Sequence, residues 1–144
     1  MEVDMVFETI VCLATAIYFE ARGEPLAGQI AVAHTIMNRV EDRRFPDTVC
    51  EVVTQGPTYS WAEGFPVRNR CQFSFYCDGK SDDPTDQDAY TRSYEVALGV
   101  IEGRFVDLSM GATHYHATSV LPEWAESKDH TITINNHRFY RWLR

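Results

Sequence analysis

The stretch that most constrains this chain is residues 17–25, IYFEARGEP. Apolar residues at three- and four-residue steps (Val6, Phe7, Ile10, Val11, Leu13, Ala14, Ile17, Tyr18) predict a helix from Asp4 to about Ala21, with Asp4 as candidate cap. That helix delivers one carboxylate, Glu20, and the chain then meets Gly23 and Pro25, which end one helix and suit the start of the next. Leu26, Ile30, Ala33, Ile36, Met37 and Val40 mark the inward face of a second helix reaching about Asp42. A corner of this kind holds Glu20 against aromatic and aliphatic neighbours. A carboxylate so placed loses solvation, its pKa rises, and it can stay protonated near neutral pH as a general acid. The structural alternative is an ion pair with Arg22 or Arg39.

Beyond the corner, His34 among Val32, Ala33 and Ile36 reads as a satisfied core histidine. Thr48-Val49-Cys50-Glu51 has the form of a capping box and opens a short helix through Val53 or Gln55. From Gly56 to Pro84 no period survives, and a long aromatic-rich loop in a compact domain is usually functional. Its most site-like part is Cys71-Gln72-Phe73-Ser74-Phe75, where an amide and a hydroxyl alternate with rings that can stack on sugars. Thr85 with Asp88 opens a third long helix with Ala89, Tyr90, Tyr94, Ala97 and Ile101 inward, closed by Gly103. Thr113–Ala117 and Thr131–Ile134 are β-prone, Asn135-Asn136 can turn the chain, and His137–Trp142 returns, giving a small hairpin or three-stranded sheet. The expected fold is α+β and mainly helical, one domain over residues 1–144 with a small antiparallel sheet towards the C-terminus.

Composition narrows the partners. A net charge of −8 repels a phosphate backbone, so nucleic acid is not an expected partner. No apolar run approaches the ~20 residues of a membrane helix. The start of the chain is acidic where a secretory signal is basic, and Glu8 interrupts its apolar run, so it reads as the first helix of the fold. The acidic cluster Asp78, Asp82, Asp83, Asp86, Asp88 lacks the glycine and closing glutamate of a calcium loop and reads as a solvated loop. Cys12 reads as a small core residue, and one disulfide is expected among Cys50, Cys71 and Cys77. Two other function classes compete. His114 and His116, two apart on a strand, with His137 and a carboxylate, could form the zinc site of an amidase or peptidase, although no HExxH pattern is present. A catalytically silent sugar-binding module would use the same aromatics and leave Glu20 dispensable.

The ordered set EARGEP (20–25), GQIAVAHTIMNRV (28–40), FPDTVCEVV (45–53), CQFSFYCDG (71–79), THYHA (113–117) and HRFYR (137–141) resembles the SleB/CwlJ-type cell wall hydrolases, over nearly the whole chain. The resemblance implies a lysozyme-like fold that cuts the β-1,4 bond between N-acetylmuramic acid and N-acetylglucosamine in peptidoglycan. It carries the catalytic acid over to Glu20 and implies a lytic transglycosylase, in which the muramic C6 hydroxyl closes a 1,6-anhydro ring in place of water; a hydrolytic muramidase is the near alternative. Gln72, Phe73, Ser74, Tyr115, His116 and Trp124 are expected to line the glycan groove with Glu24, and Asn38 and His137 to support it. No metal or other cofactor is expected, and the chain is expected to be a monomer. Without a wall-binding domain the architecture resembles a single-domain phage endolysin, made in the cytoplasm and reaching the wall through lysis, a holin or a secretion partner.

Overall fold

Helix α1 (Glu2–Ala21) opens the fold in this computed structural model, which describes residues 2–143, with side chains from residue 4. Among its residues with described side chains, the buried face starts at Ile10 and continues through Leu13, Ala14, Ile17, Tyr18 and Ala21. Leu13 and Ile17 are fully buried, each contributing about 1.5–3 kcal/mol. Val6 and Phe7 were expected on that face but are 53% and 58% exposed, and Asp4 lies inside the helix rather than capping it. The reason is physical: the packing that buries α1 lies along its C-terminal part, so a correct period still leaves residues 4–8 exposed.

Helix α2 (Leu26–Val40) begins just after Pro25, which takes the N-cap position without a side-chain cap bond, and runs through the middle of the fold. Ala31, Val32, Ala33 and Ile36 are fully buried, so this helix is enclosed on most sides. Leu26, read as inward, is 57% exposed because it occupies the first turn. His34 is tied by its Nε2 to the Phe105 carbonyl oxygen at 3.0 Å, as a satisfied core histidine should be. Helix α3 (Val49–Val53) is capped by Thr48, whose Oγ1 accepts from the Glu51 N–H and donates to Glu51 Oε1. Helix α4 (Gln87–Ile101) starts one residue later than Thr85 would place it: Asp86 is the cap, accepting from the Ala89 N–H at 3.1 Å. Its own N–H donates to the Tyr18 hydroxyl, which ties α4 to α1. Gly103, at φ +76°, closes it. At Gly99 a Cβ would lie 2.4 Å from the Phe105 ring, so only glycine lets that ring pack down.

Two small sheets complete the chain. β1 (Thr58–Tyr59) and β2 (Ala62–Pro66) form an irregular antiparallel hairpin inside the stretch read as structureless. β3 (His114–Ala117), β4 (Asp129–Ile134) and β5 (His137–Arg141) form an antiparallel sheet of order β3-β5-β4, with Asn135 at φ +49° in the β4–β5 turn. Side chains alternate across a strand. The register Tyr115↔Phe139 and Ala117↔His137 therefore puts Tyr115, His137 and the fully buried Phe139 on the face towards the helices. His114, His116, Arg138 and Tyr140 take the other face.

The cysteines depart from expectation. Cys12 is bonded to Cys50 and Cys71 to Cys77, so all four are paired. Cys12 fits the core period of α1 but lies opposite α3, with its Cα 5.3 Å from that of Cys50, a distance only the tertiary fold could reveal. No helix among the described residues is long and apolar enough to cross a membrane.

Candidate active site

Glu20 stands in the last turn of α1 with its side chain only partly accessible. The neighbouring Phe19 stacks on Phe75, with centroids 4.9 Å apart and planes at 12°, which fixes the corner on one side. From β3, the Tyr115 hydroxyl donates a hydrogen bond to Glu20 Oε1. The Tyr115 ring is held in turn by His137 at 5.1 Å and Phe139 at 5.6 Å. Behind the pair lies Arg39, 6% exposed in the last turn of α2, whose Nε donates to the Thr113 carbonyl at 2.7 Å. Its guanidinium lies over the rings of Phe45 and Phe73 at 4.7 and 5.5 Å.

Burial raises the Glu20 pKa above the usual carboxylate range, while the Tyr115 hydrogen bond and the Arg39 charge pull it down without cancelling the rise. Burial also lifts the Tyr115 phenol well above its ordinary value, with the Glu20 charge and hydrogen bond adding to the effect, so Tyr115 remains a neutral donor. Burial lowers Arg39, which as a guanidinium still keeps its charge. The result is a carboxyl group biased towards its protonated form, with a hydrogen-bond donor and a cation close enough to offset the charge when it ionises. Such an arrangement serves general acid and base chemistry. Arg22 is engaged elsewhere: it stacks on Tyr18 at 4.4 Å and donates to the Tyr18 carbonyl.

Glu24 has a different setting. Its carboxylate accepts from the Asn136 N–H at 3.1 Å, from Asn136 Nδ2 at 3.2 Å and from Asn135 Nδ2 at 3.4 Å, and His137 Nδ1 is 3.8 Å away. It clasps the β4–β5 turn to the α1–α2 corner, and its lone pairs are taken by that turn. Burial lowers the His137 pKa against the opposing pull of the Glu24 charge, with His116 adding to the lowering, which favours the neutral ring packed on Tyr115. Asn38 supports the site from below: its Nδ2 donates to Asp107 Oδ2 and to the Ala112 carbonyl, both at 2.9 Å, just before β3.

The loop 71–77 alternates as its sequence does. Gln72 and Ser74 face solvent, and Phe73 and Phe75 point inward. Phe73 is 3% exposed beneath Arg39, which leaves its ring no free face for a sugar. His116 and Trp124 lie across the sheet from Glu20. His116 Nε2 is 2.8 Å from the Tyr140 hydroxyl, and Trp124 covers His114, His116 and Tyr140 with centroids 5.1–5.7 Å away. His114 sits on that outer face too, where burial and then the charges of Arg39, Lys128 and Arg44 push its pKa down to about 4. The three histidines of the zinc alternative are therefore split, two on the outer face and His137 on the inner. Among the described residues no three His, Cys, Asp or Glu side chains gather so as to hold a metal ion.

Two residues outside the sequence-derived set shape the site. Local sequence points to Arg39 only as an ion-pair partner; the further signal is its place on the apolar stripe with Val32, Thr35 and Ile36, where a charge has to have a reason. Asp107 carried no local signal. Its burial would raise its pKa, but bonds from the Ser109 hydroxyl, Asn38 and the N–H groups of Ser109 and Gly111 outweigh that and lower it. A cavity of about 610 Å³ lies beside Leu26, Arg92 and Phe105, and another of about 530 Å³ beside Arg44 and Trp142. Neither is lined by Glu20, so here the chemistry of the groups rather than cavity size locates the site.

Comparison with known proteins places the chain in a family and a fold. The family model described as cell wall hydrolase matches residues 23–140, beginning just past Glu20. The spore cortex-lytic enzyme of Halalkalibacterium halodurans is 32% identical over 128 residues, 88% of this chain and 33% of that protein. That of Oceanobacillus iheyensis is 56% identical over 41 residues, 28% of this chain and 15% of its own length. The chain thus spans at most about a third of the curated relatives it matches. The catalytic domain of the germination-specific lytic transglycosylase SleB from Bacillus anthracis superposes with a TM-score of 0.68 at 27% identity, covering 92% of this chain and 93% of that one. The SleB catalytic domain of Bacillus cereus gives 0.63 at 26%, over 92% and 89%. With four-fifths of its length matched by the family model and its fold shared with these catalytic domains, the chain belongs to the cell wall hydrolase family.

Proposed function

We propose that this chain cleaves the β-1,4 bond between N-acetylmuramic acid and N-acetylglucosamine in peptidoglycan as a lytic transglycosylase, with Glu20 as general acid and then general base. The observation that carries the reading is the desolvated Glu20 carboxyl bonded by the Tyr115 hydroxyl, with Arg39 behind it. Protonated Glu20 gives its proton to the glycosidic oxygen as the bond from C1 breaks, and the N-acetylglucosamine side leaves with a free hydroxyl. The muramic C6 hydroxyl then attacks C1, and its proton passes to the Glu20 carboxylate, which restores the acid and leaves a 1,6-anhydro ring. This sequence uses one carboxyl group in both roles and needs no second carboxylate as nucleophile, unlike the paired-carboxylate glycosidases. Glu24 is occupied by the β4–β5 turn, which favours Glu20 over it as the acid. The likeness to the Bacillus anthracis enzyme supports the reaction class.

The test is the rate of sacculus solubilisation by Glu20→Gln, expected to fall by ~10²–10⁴-fold, the usual loss for a general acid. The variant is expected to keep the fold, checked by its circular dichroism spectrum and unfolding midpoint. A carboxyl group whose folded pKa lies above its unfolded value favours the folded state at low pH and gives up that contribution as pH rises through the folded pKa. The neutral amide gives up nothing, so above that pH the variant is expected to match or exceed the parent in stability. An active Glu20→Gln would refute the mechanism.

A further inference from the structure

The β1–β2 hairpin carries its rings turned to solvent. Trp61 is 80% exposed and Phe65 67%, and Tyr59 lies against Trp61 with centroids 5.0 Å apart and planes at 33°. Single exposed apolar side chains are ordinary, but Tyr59 and Trp61 form a ring pair and a third exposed ring, Phe65, stands on the neighbouring strand, and aromatic surface concentrated on one hairpin marks an interaction site. The hairpin is also braced. At its base the Val67 N–H donates to the Pro57 carbonyl at 3.0 Å, and the Arg68 N–H to the Tyr59 hydroxyl at 3.4 Å. The Asn69 N–H donates to the Cys77 carbonyl at 2.8 Å, and the Gln72 N–H to the Gln55 carbonyl at 2.9 Å. Gly56 approaches Cys71 so closely that a Cβ would lie 2.9 Å from its Cα, and the Cys71–Cys77 disulfide closes the adjoining loop. That loop presents Phe75 to Phe19, the residue before Glu20. A short run of contacts therefore joins the exposed rings to the corner that holds the acid.

We propose that the hairpin is a glycan-binding arm, in which Trp61, Tyr59 and Phe65 stack on the sugar rings of the polysaccharide strand that reaches Glu20; this rests on the reading of the chain as a glycan-cleaving enzyme. Exposed rings offer a flat apolar surface to the C–H faces of sugars. The Tyr59 hydroxyl, already an acceptor for Arg68, keeps its proton for a sugar hydroxyl or acetamido oxygen. A lipid surface fits less well: the strands carry Glu63 beside the rings, and a chain of net charge −8 is repelled by anionic bilayers. Sugar stacking needs no charge complementarity and so supplies what this surface lacks electrostatically.

The test uses the full chain carrying Glu20→Gln, so that binding is read without turnover. Its cosedimentation with purified sacculi is compared with that of the same chain also carrying Trp61→Ala, Phe65→Ala or Trp61→Phe, alongside phosphatidylcholine vesicles as a second probe. Both alanine changes are expected to weaken sacculus binding ~10-fold, about 1.4 kcal/mol, and Trp61→Phe to retain most of it. Tryptophan fluorescence of the parent is expected to shift on adding soluble glycan strands, and that shift to vanish in Trp61→Ala. The exposed positions leave folding intact, checked by circular dichroism. Equal sacculus binding by parent and Trp61→Ala overturns the arm and leaves the catalytic reading standing, as does Trp61-dependent binding to vesicles alone. A parent that fails to bind sacculi, with a wild-type chain that releases no glycan product, overturns both.

Discussion

Tyr115→Phe removes one hydroxyl and keeps the ring against His137 and Phe139, so it isolates the bond to Glu20. A hydrogen bond to an ionised group is worth about 1.5–3 kcal/mol net, and one between neutral groups about 0.5–1.5. Glu20 is neutral before proton transfer and ionised after it, so the bond favours the later state by roughly 1–1.5 kcal/mol. Tenfold in rate corresponds to about 1.36 kcal/mol, so kcat is expected to fall ~5- to 15-fold. KM should change little, because the hydroxyl's partner is Glu20 and not the substrate. The pH profile moves in a defined direction. Tyr115 lowers the Glu20 pKa, so removing its hydroxyl raises it. The neutral acid then persists further, and the alkaline limb of kcat shifts to higher pH. The assay is initial rate of dye-labelled sacculus release across pH, with the unfolding midpoint as control. A variant with parental kcat and an unmoved alkaline limb would refute the claim that this bond tunes the acid.

Two further outcomes follow from the fold. Glu24→Ala frees the Asn135-Asn136 turn and is expected to cost about 0.5–1.5 kcal/mol in urea unfolding, the net worth of hydrogen bonds whose donors are exposed and can turn to water; full stability with abolished activity would instead make Glu24 the acid. Cys12→Ala opens the Cys12–Cys50 link across a separation of 38 residues, for which loop entropy gives about 4 kcal/mol; unchanged stability under reducing and oxidising conditions alike would show that the link does not form.

The helices and the C-terminal sheet were legible because each rests on a local rule. Gly23 and Pro25 mark the corner, Thr48 with Glu51 caps α3, and Asn135-Asn136 turns β4 into β5. The desolvated placement of Glu20 was legible for the same reason, as a carboxylate at the end of an apolar helix. What failed was long-range. Nothing near Cys12 says that α3 will present Cys50 to it, and nothing near Asp107 says that Asn38, from α2, will bond it. The groove residues divided by strand alternation: Tyr115 and His116 are neighbours in sequence, yet the sheet sends one to Glu20 and the other to Tyr140. Which face is inner depends on how the sheet docks on the helices, and Phe139, buried without exposure, fixes that only after folding.

The central claim is that Glu20 drives glycan cleavage by proton transfer with the muramic C6 hydroxyl as nucleophile. Mass spectrometry of the soluble products from purified sacculi tests it most directly, with wild type and Glu20→Gln run in parallel and a chelator added to a third sample. The account predicts 1,6-anhydromuramyl ends from wild type, the same ends in chelator, and almost none from Glu20→Gln. Anhydro ends released equally by Glu20→Gln, reducing muramic ends in their place, or intact glycan with cut peptides would contradict it.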